Sequence, residues 1–96
     1  MDWKIVEPLL SEQQLDNHGR LFARVTIMPG HELEPHEHHG ETETYYVLSG
    51  KGIYDDDGKK MPANPGDCFF CDDGHSHGIA CDGTEPIVFL ALILNK

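Results

Sequence analysis

The feature that most constrains the fold of this chain is a series of short β-type segments, separated by turn residues at intervals of about ten positions. Val, Ile, Thr, Tyr and Phe are concentrated in the segments, and Gly, Pro and Asp in the gaps between them. Only residues 11–17 favour a helix, which His18-Gly19 is expected to end. The pattern predicts strands at 21–28, 36–38, 43–48, 53–55, 59–61, 67–71, 77–81 and 87–93.

Many short strands in 96 residues indicate an all-β sandwich or barrel, with residues 1–96 forming a single domain. The last predicted strand, 87–93, is apolar on both faces. A strand of that kind belongs in the middle of a sheet or at a subunit interface.

Charge and composition exclude several classes of partner. The formal charge of −10 argues against nucleic acid and anionic membrane surfaces, because both are bound through clustered Lys and Arg. The longest apolar run, 87–94, is far shorter than the ~20 residues that span a bilayer. The three cysteines and the absence of an apolar leader at the N-terminus predict a protein of the reducing cytoplasm.

A cluster of histidines indicates metal chemistry. Residues two apart in a strand share a face, so His36 and His38 are expected to project into one space. Glu43 follows on the next strand, and the same parity continues to Tyr45. His77 supplies a fourth ligand if its strand lies next to theirs. Three imidazoles and one carboxylate suit a divalent ion and leave about two positions of an octahedron open for ligand or substrate.

The run from 30 to 50 resembles the first cupin motif, G-x5-H-x-H-x3,4-E-x6-G, and matches it at every fixed position. The run from 66 to 81 resembles the second motif, G-x5-P-x-G-x2-H-x3-N, with His77 in place. Asp72 stands where that motif usually has Pro, which is expected to loosen the turn before His77. Cys81 stands where it usually has Asn.

The resemblance to the cupin superfamily implies a small jelly-roll β-barrel, commonly a homodimer. It also implies one divalent metal ion, which the sequence does not identify among Mn, Fe, Ni and Zn. The metal ligands that it implies are His36, His38, Glu43 and His77, the same four that the spacing indicates.

Other polar residues lie outside the four-ligand set. Tyr45 and His75 are candidates for proton transfer, although His75 directly follows Gly74 and is expected to lie in the turn. His31 and His39 are expected to be exposed loop residues, with a place beside the pocket as the alternative for His39.

The cysteines do not form an obvious site. Cys68 and Cys71 are three apart and should face opposite sides of a strand, so both are expected to be ordinary buried residues. Cys81 is expected to be a small core residue, with a reactive thiol near the pocket as the alternative.

Three functions fit these observations. The first is a metal-dependent enzyme acting on a small carbonyl- or carboxylate-bearing molecule, by oxygenase, isomerase, decarboxylase or lyase chemistry. The alternative is a non-catalytic, metal-dependent module that binds or senses a small molecule. The third is a structural barrel with a vestigial site. No basic cluster is expected to face the pocket, which disfavours sugar phosphates.

Overall fold

The structure is a computed structural model that describes residues 2–96. These residues form two antiparallel β-sheets and one short helix, α1 (Glu12–Leu15). The strands are β1 (Lys4–Leu10), β2 (Gly19–Ile27), β3 (Glu32–Glu37), β4 (Glu41–Ser49), β5 (Gly52–Asp56), β6 (Lys59–Ala63), β7 (Cys68–Cys71), β8 (Ser76–Cys81) and β9 (Ile87–Asn95).

The two sheets enclose one hydrophobic core. The larger sheet has the order β1-β2-β9-β4-β7 and the smaller one the order β3-β8-β5-β6. Val47 and Phe89 of the larger sheet and Tyr54 and Ile79 of the smaller one are all buried in the same cluster. The predicted all-β jelly-roll architecture is therefore confirmed.

Strand β9 is the middle strand of the larger sheet, between β2 and β4, as its apolar sequence predicts. Its residues alternate between buried side chains that face the core and half-buried ones that face outward. The inward-facing residues are Ile87, Phe89, Ala91 and Ile93. Each large apolar side chain that is fully buried in this way contributes about 1.5–3 kcal/mol to stability.

The N-terminal region differs from the prediction. Strand β1 is absent from the predicted strands because all its residues are exposed, and it therefore lacks the alternation of a half-buried strand. The helix is shorter than 11–17. Ser11 and Gln14 form a capping box at its start, and Asp16 ends it in the left-handed conformation, with φ of 51°.

A tight hairpin connects β5 and β6. Asp56 pairs with Lys59, so Asp57 and Gly58 form a two-residue loop between β5 and β6. Both loop residues have positive φ, 50° and 90°, as the right-handed twist of a tight hairpin requires. Within residues 2–96, no helix is long and apolar enough to cross a membrane.

Candidate metal centre

The four predicted ligands lie together inside the barrel. One ligand atom from each of His36, His38, Glu43 and His77 lies within 4.8 Å of all the others. Oε1 of Glu43 is 2.9 Å from Nε2 of both His38 and His77, and 3.5 Å from Nε2 of His36. The side chains thus direct four donor atoms at one small volume.

Strand pairing explains how three separate segments meet there. His36 on β3 lies directly opposite His77 on β8. An irregularity between Leu33 and His36 sets that register, because three steps along β3 match two along β8. Glu43 approaches from β4 in the other sheet, so the cluster joins the two sheets.

His38 lies just beyond the end of β3, and a loop holds its backbone. Its N–H donates to the carbonyl of His75 at 3.2 Å, and its own carbonyl accepts from Gly74 at 2.8 Å. The N–H of Gly40 donates to the carboxylate of Asp73 at 2.6 Å. The loop before β8 therefore fixes the segment that carries His38.

The outer ring nitrogens determine which atoms face the cluster. Nδ1 of His36 lies 3.0 Å from the carbonyl of Glu34, and Nδ1 of His38 lies 2.8 Å from Oε1 of Glu41. A carbonyl and a carboxylate only accept hydrogen bonds, so we assign the proton to Nδ1 in both rings. In the neutral rings Nε2 then carries a lone pair that faces the cluster, as a metal ligand requires.

The third ring has a different partner. Nδ1 of His77 lies 2.9 Å from the hydroxyl of Tyr54, which can donate or accept. When that hydroxyl accepts, Nε2 of His77 also presents a lone pair to the cluster. His77 is fully buried, and Tyr54 is 2% exposed.

The electrostatics of the cluster favour a cation. Burial by itself raises the pKa of Glu43, but hydrogen bonds with His36 and His77 outweigh it and lower that pKa to about 2. The pKa of His36 is raised, mainly by its hydrogen bond to Glu43. Nε2 of His38 and Nε2 of His77 are only 3.1 Å apart. Lone pairs this close to an ionised carboxylate repel one another unless a positive charge lies among them. A single proton can bridge only two of the donor atoms, whereas all four can coordinate one divalent ion. The residues therefore fit a metal.

The cluster borders a cavity of about 300 Å³. Apolar side chains, including Val25 and Phe89, form much of its wall. Lys4 and Arg20 also line it. The sequence predicts no basic cluster at the pocket, and it does not indicate that these two basic residues, one from β1 and one from β2, line the cavity. Lys4 belongs to β1, which the sequence pattern did not indicate, and Arg20 lies at an irregularity of β2 that sequence does not show.

The two candidates for proton transfer are in different environments. Tyr45 lines the cavity and stacks on His77, with ring centroids 4.6 Å apart. Burial, followed by the charge of Glu43, raises the pKa of Tyr45 well above its ordinary value. His75 lies in the turn, as expected. Its exposed ring forms a hydrogen bond with Asp57, which raises the pKa of His75, and the residue does not line the cavity.

The remaining histidines lie outside the cluster. His39 is exposed, with its ring 2.7 Å from the carboxylate of Glu37. His31 is exposed and stacks on Trp3, with ring centroids 5.5 Å apart. The expectation that both are exposed is confirmed.

The cysteines agree only in part with the predictions. Cys68 and Cys71 face opposite sides of β7, but Cys68 is exposed, so the expectation that both are buried is wrong. Strand β7 is an edge strand whose outer face has no covering layer within residues 2–96. Cys81 is a buried core residue, and its thiol donates to the carbonyl of Glu85 at 3.1 Å.

Hydrogen bonds replace the missing Pro of the second motif. The carboxylate of Asp72 accepts from the N–H of Asp73 at 2.8 Å and from Nζ of Lys96 at 2.6 Å. The carbonyl of Asp72 accepts from the N–H of His75 at 3.1 Å. The turn before His77 is therefore tied down, contrary to the expectation that it is loose.

Residues 23–93 match the sequence model of the family described as the cupin domain. The chain belongs to the cupin family. This cupin is 44% identical over 86 residues to a Thermotoga maritima protein named oxalate-binding protein, a match that covers 90% of this chain and 71% of the relative.

Solved structures agree with that assignment. The cupin superposes with a TM-score of 0.94 on the crystal structure of a Thermotoga maritima protein described as a predicted oxalate decarboxylase. The two are 41% identical, and the match covers 97% of this chain and 81% of the other. The cupin domain of an XRE family transcriptional regulator from Enterobacter cloacae gives a TM-score of 0.84 over 99% of both chains. At 20% identity, that likeness shows the fold alone.

Proposed function

We propose that this cupin binds one divalent metal ion through His36, His38, Glu43 and His77, and at that ion a small dicarboxylate of the oxalate class. The observation that supports this most is the four-donor cluster, of which His36, His38 and Glu43 line a cavity of about 300 Å³. A bound divalent ion supplies a Lewis acid with open positions that carboxylate oxygens can occupy.

The cavity suits a compact anion. Lys4 and Arg20 are the cationic residues of its lining, and an anion beside them gains favourable Coulomb energy. The apolar walls lower the local dielectric constant and strengthen that attraction. The name of the 44% identical relative, oxalate-binding protein, agrees with this choice of ligand.

Turnover of the bound carboxylate is our second proposal, and it depends on Tyr45. Tyr45 holds a proton at Oη beside the cluster at neutral pH, and burial raises its pKa further. Such a residue would donate that proton to the carbanion that loss of carbon dioxide from the carboxylate would leave. A carrier or sensor needs no such group, so the two functions differ in whether the ligand is consumed.

One series of measurements tests both proposals. Metal content would be measured by plasma mass spectrometry on untagged protein, beside a His36→Ala/His77→Ala variant. Metal-loaded protein would then be titrated with oxalate in a calorimeter, with acetate as the monocarboxylate control. We expect near-stoichiometric metal that the variant lacks, and oxalate binding much tighter than acetate binding.

Several outcomes would contradict these proposals. No metal after reloading with Mn, Fe, Ni or Zn would exclude the metal centre. Equal affinity for oxalate and acetate would exclude a preference of the site for a dicarboxylate ligand. Oxalate that binds but releases no carbon dioxide or formate would leave the binding module as the function and exclude turnover.

We also propose that the protein is a homodimer, formed through the outer face of the larger sheet. Tyr46, Leu48 and Phe70 are exposed on that face by 43%, 42% and 60%. Half-buried Leu90 and Leu92 of β9 lie beside Tyr46 and Thr44 on the same face. Sedimentation velocity should give a dimer, and Phe70→Glu should shift it towards monomer. A wild-type monomer at micromolar concentration would contradict the proposal.

Localisation in a reducing cytoplasm remains a proposal as well. It is supported by the three cysteines, all of which are free in the structure. Cell fractionation with an antibody against the untagged protein tests it, and recovery from an oxidising compartment would contradict it.

A further inference from the structure

One metal-ligand candidate is linked to the protein surface by a chain of hydrogen bonds. Oε1 of Glu41 lies 2.8 Å from Nδ1 of His38 and also accepts from a terminal nitrogen of Arg20 at 2.8 Å. Nε of Arg20 donates to the other oxygen of Glu41 at 3.0 Å. One carboxylate oxygen is therefore shared between a cluster histidine and an arginine.

Exposure changes steeply along this chain of contacts. The side chain of Arg20 is 54% exposed, that of Glu41 17% and that of His38 4%. The bond between Glu41 and His38 is therefore largely shielded from solvent, and water competes for it only weakly. Arg20, at the exposed end of the chain of contacts, forms a forked pair of hydrogen bonds with the Glu41 carboxylate. Such a pair fixes the plane of the carboxylate.

The backbone of β2 places Arg20 at this position. Gly19 pairs with Leu94 and Leu21 with Ile93, so Arg20 is the extra residue of a β-bulge. A Cβ atom on Gly19 would lie 2.6 Å from the carbonyl oxygen of Ile93, closer than atoms of a real side chain approach. The bulge and its glycine thus turn one arginine towards Glu41.

We propose that Glu41, held by Arg20, is a positioning residue of the metal centre, which fixes the tautomer and orientation of His38 so that Nε2 faces the ion. This inference rests on the proposed metal centre, and it assigns a role to two residues that occupy no fixed position of the cupin motifs. Partners of this kind raise the basicity of a ligating imidazole and restrict its ring rotation. Arg20 acts on His38 through Glu41, because its guanidinium contacts the carboxylate and not the ring.

A double-mutant cycle tests whether Arg20 acts on the metal centre through Glu41. Co²⁺ affinity would be measured by competition with a chromophoric chelator, without oxalate, for wild type, Glu41→Ala, Arg20→Gln and the double variant. We expect Glu41→Ala to weaken Co²⁺ binding by about 10–100-fold. Arg20→Gln should cause a smaller loss in wild type and none in the Glu41→Ala background.

The chain offers a matched control on the same strand. Arg24 forms a similar fork with Glu7, at 2.8 Å and 3.4 Å, but that fork contacts no ligand candidate. Arg24→Gln and Glu7→Ala should leave Co²⁺ affinity unchanged. Glu41→Gln keeps an oxygen that can accept from Nδ1, so it should recover part of the affinity and shift the Co²⁺ absorption bands less than Glu41→Ala.

The outcomes separate the inference from the proposed function. If wild type binds Co²⁺ and Glu41→Ala binds it equally well, the positioning role is wrong and the metal centre stands. Additive losses from Arg20→Gln and Glu41→Ala would show that Arg20 acts independently, which also contradicts the inference. If wild type binds no Co²⁺, both the metal centre and the inference are wrong. Melting temperatures of the metal-free variants identify losses that arise from unfolding.

Discussion

Strand β2 carries two arginine–glutamate forks with similar geometry and different surroundings. Arg24 and Glu7 link β2 to β1 across the outer surface, with side chains 47% and 46% exposed. Arg20 and Glu41 meet at the rim of the cavity, where the glutamate also contacts a cluster histidine. The same pair of residue types therefore forms an exposed ion pair between two strands in one place and a connection to the candidate metal centre in the other.

The difference comes from the backbone rather than from the side chains. Arg24 lies in regular pairing, opposite Leu90, on the outer face of the sheet. Arg20 lies in a bulge, which changes the direction of its side chain by interrupting the alternation of the strand. One inserted residue thus distinguishes an arginine at the rim of the cavity from one on the general surface.

The largest expected effect concerns the four metal-ligand candidates, which the Arg20–Glu41 fork contacts and the Arg24–Glu7 fork does not. His77→Ala should abolish metal binding, because it removes a buried donor and leaves the other three without a fourth ligand. His75→Ala, two positions earlier in the exposed turn, should leave the metal content unchanged. Plasma mass spectrometry of the reloaded proteins measures the difference, and similar metal content in both variants would exclude His77 as a ligand.

The next effect tests the bulge itself. Gly19→Ala should destabilise the protein by about 1–3 kcal/mol, as overpacking usually does, because the added Cβ meets a backbone oxygen that cannot move aside cheaply. Urea denaturation measures the change. Gly83→Ala is the matched control, since its added Cβ would find no atom closer than 3.7 Å. Equal stability of both variants would mean that the bulge tolerates a side chain.

Part of the candidate metal centre could be predicted from the sequence. The spacing of His36, His38 and Glu43 indicates convergence, because strand parity and the turn at Gly40 are local properties. The position of His77 beside them depends on the pairing of β3 with β8, which the family motifs imply but local sequence does not. The sequence also allows Glu41 to be predicted as a neighbour of the site, because residues 41 and 43 are two apart and face the same side of β4.

Other members of the site follow from long-range geometry alone. Tyr54 contacts His77 because β5 pairs with β8, and no spacing in the sequence indicates that contact. Lys4 reaches the cavity from an edge strand whose side chains are all exposed. Arg20 depends on a bulge, which inserts a residue without leaving a sequence signal beyond one glycine.

A smaller effect is expected in the pH dependence of stability that the Arg20–Glu41 fork contributes. Hydrogen bonding to Arg20 is the main reason that the pKa of Glu41 is about 2 instead of 4.5. A lowered folded-state pKa stabilises the fold above the unfolded-state pKa, and that stabilisation is lost as the pH falls through the folded-state value. The stability difference between metal-free wild type and Glu41→Gln should therefore shrink between pH 4.5 and about 2. A difference that stays constant over this range would contradict the assignment.

The smallest effect belongs to the outer fork. Arg24 lowers the pKa of Glu7 through a hydrogen bond and its charge, but both side chains are in solvent, where ions screen the attraction. Arg24→Gln should change the free energy of unfolding little in low salt and not measurably in high salt, whereas the effect of Arg20→Gln should largely persist in high salt because Glu41 is mostly buried. Urea denaturation at two salt concentrations measures both. If salt removed the two effects equally, burial would not distinguish the forks, and the contrast between them would be one of position only.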